Sequence, residues 1–175
     1  MNIKYGIRKI KIIFFDGDNT LWKTLPGEFI SRIPSKLKLI NNHIIIRSAD
    51  GVKFILDRKL PSCLKSLREK GILIGLISDN REEMVWRALK LFKIDRYFNK
   101  KYVNIRFFEG PAPKIKMISE VLKGLKRKKI KIQPKEVLFI DDKDYSQEAY
   151  KFGVSFIQLR EDDNIVNLLQ SILKS

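Results

Sequence analysis

The feature that most constrains this chain is a recurring unit: a short apolar, β-branched run that ends at a polar residue. Ile10 to Phe15, continuously apolar from Ile12, ends at Asp16, Ile72 to Ile77 at Ser78, and Val137 to Ile140 at Asp141. Runs this short and this continuously apolar read as strands buried on both faces, as in a parallel sheet covered by helices. Amphipathic stretches alternate with them. Pro61 to Lys70, Arg81 to Phe92, Pro113 to Lys126, Tyr145 to Phe152 and Asn164 to Leu173 predict helices, the fourth closed by Gly153. Tyr102 to Phe107 and Ser155 to Leu159 predict two more strands, the first of them weakly patterned. The alternation is that of an α/β fold with a central parallel sheet.

The length of 175 residues suits one core, and no internal repeat or linker interrupts the pattern, so residues 1–175 are expected to form one domain. An insertion, about 23–59, separates the first strand from the first long helix. Gly17 to Asn42 is rich in turn formers and has no clear assignment. His43 to Ile46 and Val52 to Leu56 flank Ser48-Ala-Asp-Gly51 and predict a β-hairpin.

Composition narrows the function classes. The formal charge is +16, with 36 Lys and Arg against 20 Asp and Glu. That favours an anionic partner: nucleic acid, a phosphorylated small molecule or an anionic surface. A Lys- and Ile-heavy genome or a hot habitat accounts for the same number equally well. Cys63 is the single cysteine, which excludes an internal disulfide, and with one histidine beside it a thiolate zinc site is excluded too. The longest apolar runs are too short to span a bilayer, and the basic N-terminus lacks a signal-peptide core. A soluble cytoplasmic protein without a membrane partner is expected.

In an open parallel sheet, ligands bind in the crevice beyond the carboxyl ends of the strands. Asp16, Ser78 and Asp141 all lie at such ends, and Lys114 opens the helix after the third strand. Any one of them reads as readily as a turn residue or helix cap; four of complementary type from distant segments suit phosphoryl transfer. Asp16 can attack phosphorus as a carboxylate nucleophile. Asp18 is placed to give a proton to the leaving group and to take one from water. Asp16 and Asp141 form a hard oxygen site for Mg²⁺. Ser78 can hydrogen-bond a phosphoryl oxygen, and Lys114 can neutralise charge developing there.

Phe14-Phe-Asp-Gly-Asp-Asn-Thr-Leu-Trp22 resembles the first motif of haloacid dehalogenase-like phosphatases. Ile77-Ser78 is similar to the second motif, Pro113-Lys114 to the third, and Phe139-Ile-Asp-Asp142 to the fourth, all in the family order. The Thr-Leu-Trp ending and the paired aspartates resemble the magnesium-dependent phosphatases and their FkbH-like relatives. The resemblance implies a Rossmann-like three-layer sandwich and an Mg²⁺-dependent phosphatase that hydrolyses phosphate monoesters through an aspartyl-phosphate. It makes Asp16 the nucleophile and Asp18 the acid/base. Asp16, Asp141 and the main-chain carbonyl of Asp18 become metal ligands, and Ser78, Asp79 and Lys114 the phosphate-binding positions. Asp142 is either near the metal or a partner of Lys114. Since dehalogenases of this superfamily need no acid at position 18, Asp18 favours a phosphatase.

Three features depart from that pattern. Gly17 stands where a bulky apolar residue is usual between the two aspartates. Ser78-Asp79-Asn80 replaces Ser-Arg-Thr, with Arg81 as a substitute cation and with Ser-Lys-Asn of the FkbH-like proteins nearer to it. The insertion is too small for a folded cap domain, so an open site is expected, suited to a bulky or macromolecular phosphate ester or to a small one bound within an oligomer that supplies the lid. The substrate expected is a phosphorylated small molecule or a phosphoprotein. A different class of function is a basic nucleic-acid-binding protein on this fold, and a hybrid is a phosphatase acting on nucleic-acid ends. The run Lys123 to Lys131 supports these, although it reads more simply as a solvated helix end. His43 is expected at the surface, Cys63 packed against the sheet, Met84 and Trp86 in packing, and Trp22 in the core or at the pocket rim.

Overall fold

All four residues Ile12 to Phe15 are fully buried, so the first strand has to be covered on both faces and takes the middle of the sheet. The computed structural model describes residues 10–25 and 36–174. In chain order the elements begin with β1 (Ile12–Phe15), β2 (Trp22–Leu25), β3 (Leu37–Asn41), β4 (Ile44–Arg47) and β5 (Lys53–Leu56). They continue with α1 (Leu60–Glu69), β6 (Leu73–Ser78), α2 (Glu82–Leu91), β7 (Val103–Ile105) and α3 (Lys114–Arg127). β8 (Val137–Asp141), α4 (Ser146–Phe152), β9 (Ser155–Gln158) and α5 (Ile165–Lys174) complete the fold.

Five strands form a parallel sheet in the order β7-β6-β1-β8-β9. Side chains alternate across it, as the pleat requires. Ile13 and Phe15 point into a core with apolar residues of α1, α2 and α5. Ile12 and Phe14 point the other way, into a second core with α3 and α4. The result is the α/β three-layer sandwich. The helices fall within a residue or so of their expected bounds, but the third strand is only Val103–Ile105. The 3₁₀ turn Lys100–Tyr102 takes the first residue expected of it, and β6 ends at Ser78, which pairs with Ile105 and leaves Arg106 and Phe107 beyond the ladder.

Gly75 on β6 lets the central strands approach. A Cβ there would lie 2.3 Å from Phe14 Cδ1 and 2.7 Å from the Tyr102 carbonyl oxygen. Both neighbours are fixed by the core and by backbone, so Gly75→Ala is expected to cost about 1–3 kcal/mol or more through overpacking. Chemical denaturation checks this; an unchanged midpoint would contradict it.

The insertion is more than the expected hairpin. β4 and β5 do pair antiparallel, but they belong to a four-stranded sheet in the order β2-β5-β4-β3. β2 is only four residues long and β3 is mostly exposed with an irregular burial pattern, so neither carries an apolar pattern long enough to predict a strand. The inner face, with Trp22, Leu37, Ile45, Phe54 and Leu56, merges into the core shared by α1 and α2. Arg47 is buried at the β4–β5 turn, where its guanidinium donates to both carboxylate oxygens of Asp50 at 2.7–3.1 Å. His43 lies at the β3–β4 turn, half-buried, and Cys63 is buried on α1. Among the described residues, no helix is long and apolar enough to cross a membrane.

Candidate active site

Register brings the polar strand ends together. Phe15 pairs with Leu76 on one side and Ile140 on the other. Asp16 therefore emerges between the ends of β6 and β8, with its main-chain N–H donating to the Ile140 carbonyl at 3.0 Å. Lys114 arrives from the first turn of α3. Its ammonium lies 2.9 Å from Asp16 Oδ1 and 2.7 Å from Asp141 Oδ2. Lys114, Asp141, Asp16 and Ser78 are all buried. Burial opposes the charge of Lys114, but Asp16 and Asp141 together outweigh it and raise its pKa. Asp141 is also raised, first by burial and then by repulsion from Asp16, with Lys114 offsetting only part.

This arrangement carries an electrostatic imbalance. Oxygens of Asp16, Asp141 and Asp142 lie within 4.8 Å of one another. Three carboxylates share one buried ammonium, and a divalent cation among them would offset their mutual repulsion. Asp16 Oδ1, although close to Lys114, has no hydrogen-bond partner of good geometry. A hard oxygen donor set with an orphaned buried oxygen fits Mg²⁺. Asp142 thus lies among the carboxylates that could hold a metal ion, whereas the carboxylates on Lys114 are those of Asp16 and Asp141.

Asp18 makes its hydrogen bonds outside that cluster. Its Oδ1 accepts from Trp22 Nε1 and from Thr24 Oγ1, both at 2.9 Å, and its Oδ2 accepts from Asn80 Nδ2 at 2.9 Å. Desolvation, followed by the Asp16 charge, raises its pKa, and the three donors pull it back in part. Asn19 next to it adopts a left-handed conformation, φ 54°, which asparagine tolerates better than most residues. This tight turn lets the chain reverse between β1 and β2.

Gly17 has a physical reason. A Cβ at that position would meet Trp22 Cζ2 at 3.0 Å and Cη2 at 3.2 Å. The indole occupies the space that a bulky residue would need. Trp22 therefore belongs at once to the core and to the site, the two settings expected of it as alternatives. The Asp79 carboxylate accepts from the Phe108 main-chain N–H at 2.9 Å and pins the loop after β7.

Two recesses flank the centre. One of about 600 Å³ lies between β2, β5 and the segment after β9, and reaches Asp142. The other, about 420 Å³, is lined by Asp79, Phe108, Lys143 and Tyr145. Either has the capacity for the organic part of a small ester. Thr24 and Asn80 are the site residues that sequence reasoning did not single out. Thr24 carries a weak signal in hindsight, a polar residue on the same strand face as Trp22.

A family model described as haloacid dehalogenase-like hydrolase matches residues 56–159. The match takes in Ser78, Lys114, Asp141 and Asp142 and begins beyond Asp16 and Asp18. A Saccharomyces cerevisiae protein, provisionally named a magnesium-dependent phosphatase, is 24% identical over 86% of this chain and 86% of its own length. Glyceraldehyde 3-phosphate phosphatase of Pyrococcus furiosus is 26% identical, over 80% of this chain and 75% of its own. Among solved structures, a hydrolase of the same superfamily from Ehrlichia chaffeensis superposes with a TM-score of 0.63 at 17% identity, covering 95% of this chain and 97% of that one. The 3-deoxy-D-manno-octulosonate 8-phosphate phosphatase of Moraxella catarrhalis, solved with magnesium and phosphate, gives 0.55 at 16% identity over 96% and 88%. At these identities the two structures speak for the fold.

Proposed function

This chain belongs to the haloacid dehalogenase-like hydrolase family, and on that footing we propose that it is an Mg²⁺-dependent phosphatase acting on phosphate monoesters. The observation that carries the reading is the buried Lys114 ammonium shared by Asp16 and Asp141, with Asp142 completing a cluster of carboxylates whose oxygens lie within 4.8 Å of one another. The names of the yeast and Pyrococcus relatives agree with it.

In the mechanism we infer, Asp16 attacks phosphorus, the bond from phosphorus to the ester oxygen breaks, and Asp18 protonates the departing oxygen. An aspartyl-phosphate forms. Asp18, now a carboxylate, takes a proton from water as that water attacks phosphorus, and phosphate leaves with Asp16 restored. Lys114 and the Ser78 hydroxyl hold phosphoryl oxygens whose charge changes in each step. Asp16, Asp141 and Asp142 would hold Mg²⁺, and the ion, when bound, offsets the repulsion between the nucleophile and its anionic substrate. At position 79 we assign phosphate contact to the main chain, because the side chain serves the neighbouring loop.

The substrate we propose is a phosphorylated small molecule, with the two flanking recesses taking its organic part. The described part of the insertion, residues 23–25 and 36–59, is read as part of a single folding unit, since its inner face shares the core of α1 and α2. Hydrolysis of p-nitrophenyl phosphate is expected to need Mg²⁺, to stop with EDTA and to return when Mg²⁺ is restored in excess. Turnover undiminished by the chelator would remove the metal from the mechanism.

A further inference from the structure

We propose that Trp22 and Thr24, on the first strand of the insertion, are positioning residues that fix the Asp18 carboxyl and confine its transferable proton to Oδ2. The inference rests on the reading of Asp18 as the acid/base.

A carboxylate oxygen offers about two lone-pair directions. Both of those on Oδ1 are taken, by Trp22 Nε1 and Thr24 Oγ1 at 2.9 Å each. Oδ2 accepts only the Asn80 amide among the side-chain bonds described, so it keeps a direction for a proton. Two donors on one oxygen and one on the other also define the plane of the carboxyl, which a free Asp on a turn would not keep.

The donors are themselves fixed. Trp22 and Thr24 lie two residues apart on β2 and are buried, while Lys23 and Leu25 are exposed, so one face of the strand presents both groups. β2 is paired with β5 through Trp22 to Leu56 and Thr24 to Phe54. The indole is wedged between Phe54, 6.4 Å away edge-on, and Phe92, 6.0 Å away at the end of α2. Gly17 leaves the gap that the ring fills. Asn19 Oδ1 accepts from the Thr24 main-chain N–H at 3.1 Å and ties the turn carrying Asp18 to the same strand. The insertion is therefore mechanically joined to the proton donor.

A buried indole needs an acceptor wherever it sits, so Asp18 could simply be satisfying Trp22. The test separates the two. Thr24→Val keeps the shape and removes the donor; Thr24→Ser restores a hydroxyl; Trp22→Phe keeps an aromatic ring. Pre-steady-state release of the leaving group is measured on p-nitrophenyl phosphate, which needs no proton, and on an alkyl phosphate, which does. Thr24→Val and Trp22→Phe should each slow the alkyl ester about tenfold and the aryl ester less than about twofold, part of the total worth of acid–base assistance. Thr24→Ser should recover the alkyl rate. In an Asp18→Asn background, Thr24→Val should add no further loss. The indole N–H resonance of Trp22, identified by its absence in Trp22→Phe, should move in Asp18→Asn.

Equal losses on both esters, no loss, or failure of Thr24→Ser to rescue would overturn the positioning role. An unmoved indole resonance would overturn the hydrogen bond itself. If Asp18→Asn shows no preference between the esters while the resonance moves, the acid/base reading is the one that falls.

Discussion

Asp16→Asn protein is expected to hydrolyse p-nitrophenyl phosphate at least about 10⁴-fold more slowly than the wild type, the scale of loss seen when a nucleophile is removed from a concerted set. The amide oxygen cannot displace an alkoxide or phenoxide from phosphorus, so no phosphoenzyme should be trapped on acid quenching. Asp16 has a second job, as one of three carboxylates converging within 4.8 Å. The variant should therefore bind Mg²⁺ more weakly. Saturating Mg²⁺ distinguishes the two effects: it should restore metal occupancy without restoring turnover. Asp18→Asn differs in kind, because it leaves the nucleophile in place, and its loss should be greater for an alkyl than for an aryl ester. A fully active Asp16→Asn enzyme would overturn the mechanism.

The parts of this site that could be read in the chain are those fixed by local pattern. An apolar run that ends at an acid gives both a buried strand and the place where its first polar side chain emerges, so β1 with Asp16 and β8 with Asp141 were legible. Lys114 was legible because Pro113 marks a helix start just ahead of it. What stayed hidden depends on contacts between distant segments. Asn80 reaches Asp18 across 62 residues. Thr24 gains meaning only once β2 is seen to fold back over the turn at Asn19. The bond from the Phe108 main chain to the Asp79 carboxylate likewise joins residues 29 apart in sequence. Asp142 was undecided because a residue after a strand end has no fixed face, and the turn into α4 brings it beside Asp16 and Asp141.

Much of the insertion was invisible for a related reason. β2 is four residues long and half of it is polar, so no window of alternation is long enough to identify it. Its place is set by pairing with β5 and by the fit of Trp22 against Gly17, Phe54 and Phe92. The departure at Gly17 and the tryptophan that ends the first motif are thus one feature, a ring exchanged for a side chain. That exchange joins the element added to the fold directly to the residue assigned the proton.

The second large effect expected is on stability as well as rate. Lys114→Met replaces the buried ammonium by a side chain of similar length without charge. Asp16 and Asp141 lose their shared cation at 2.9 and 2.7 Å, and burial leaves little water to take its place. Removing one partner of a buried charge pair typically costs about 3–5 kcal/mol. For a domain of this size that lowers the melting temperature by roughly 10 °C. The loss should be greatest without metal, where the repulsion among the carboxylates is least offset, so Mg²⁺ should raise the melting temperature of the variant by more than it raises that of the wild type. Turnover should fall as well, by about 10² to 10³-fold, because a preorganised charge on the phosphoryl oxygens is gone. A variant as stable as the wild type without metal would show that Lys114 does not balance the cluster. If stability falls as expected but Mg²⁺ gives no greater gain, the cation is held somewhere other than at Asp16, Asp141 and Asp142.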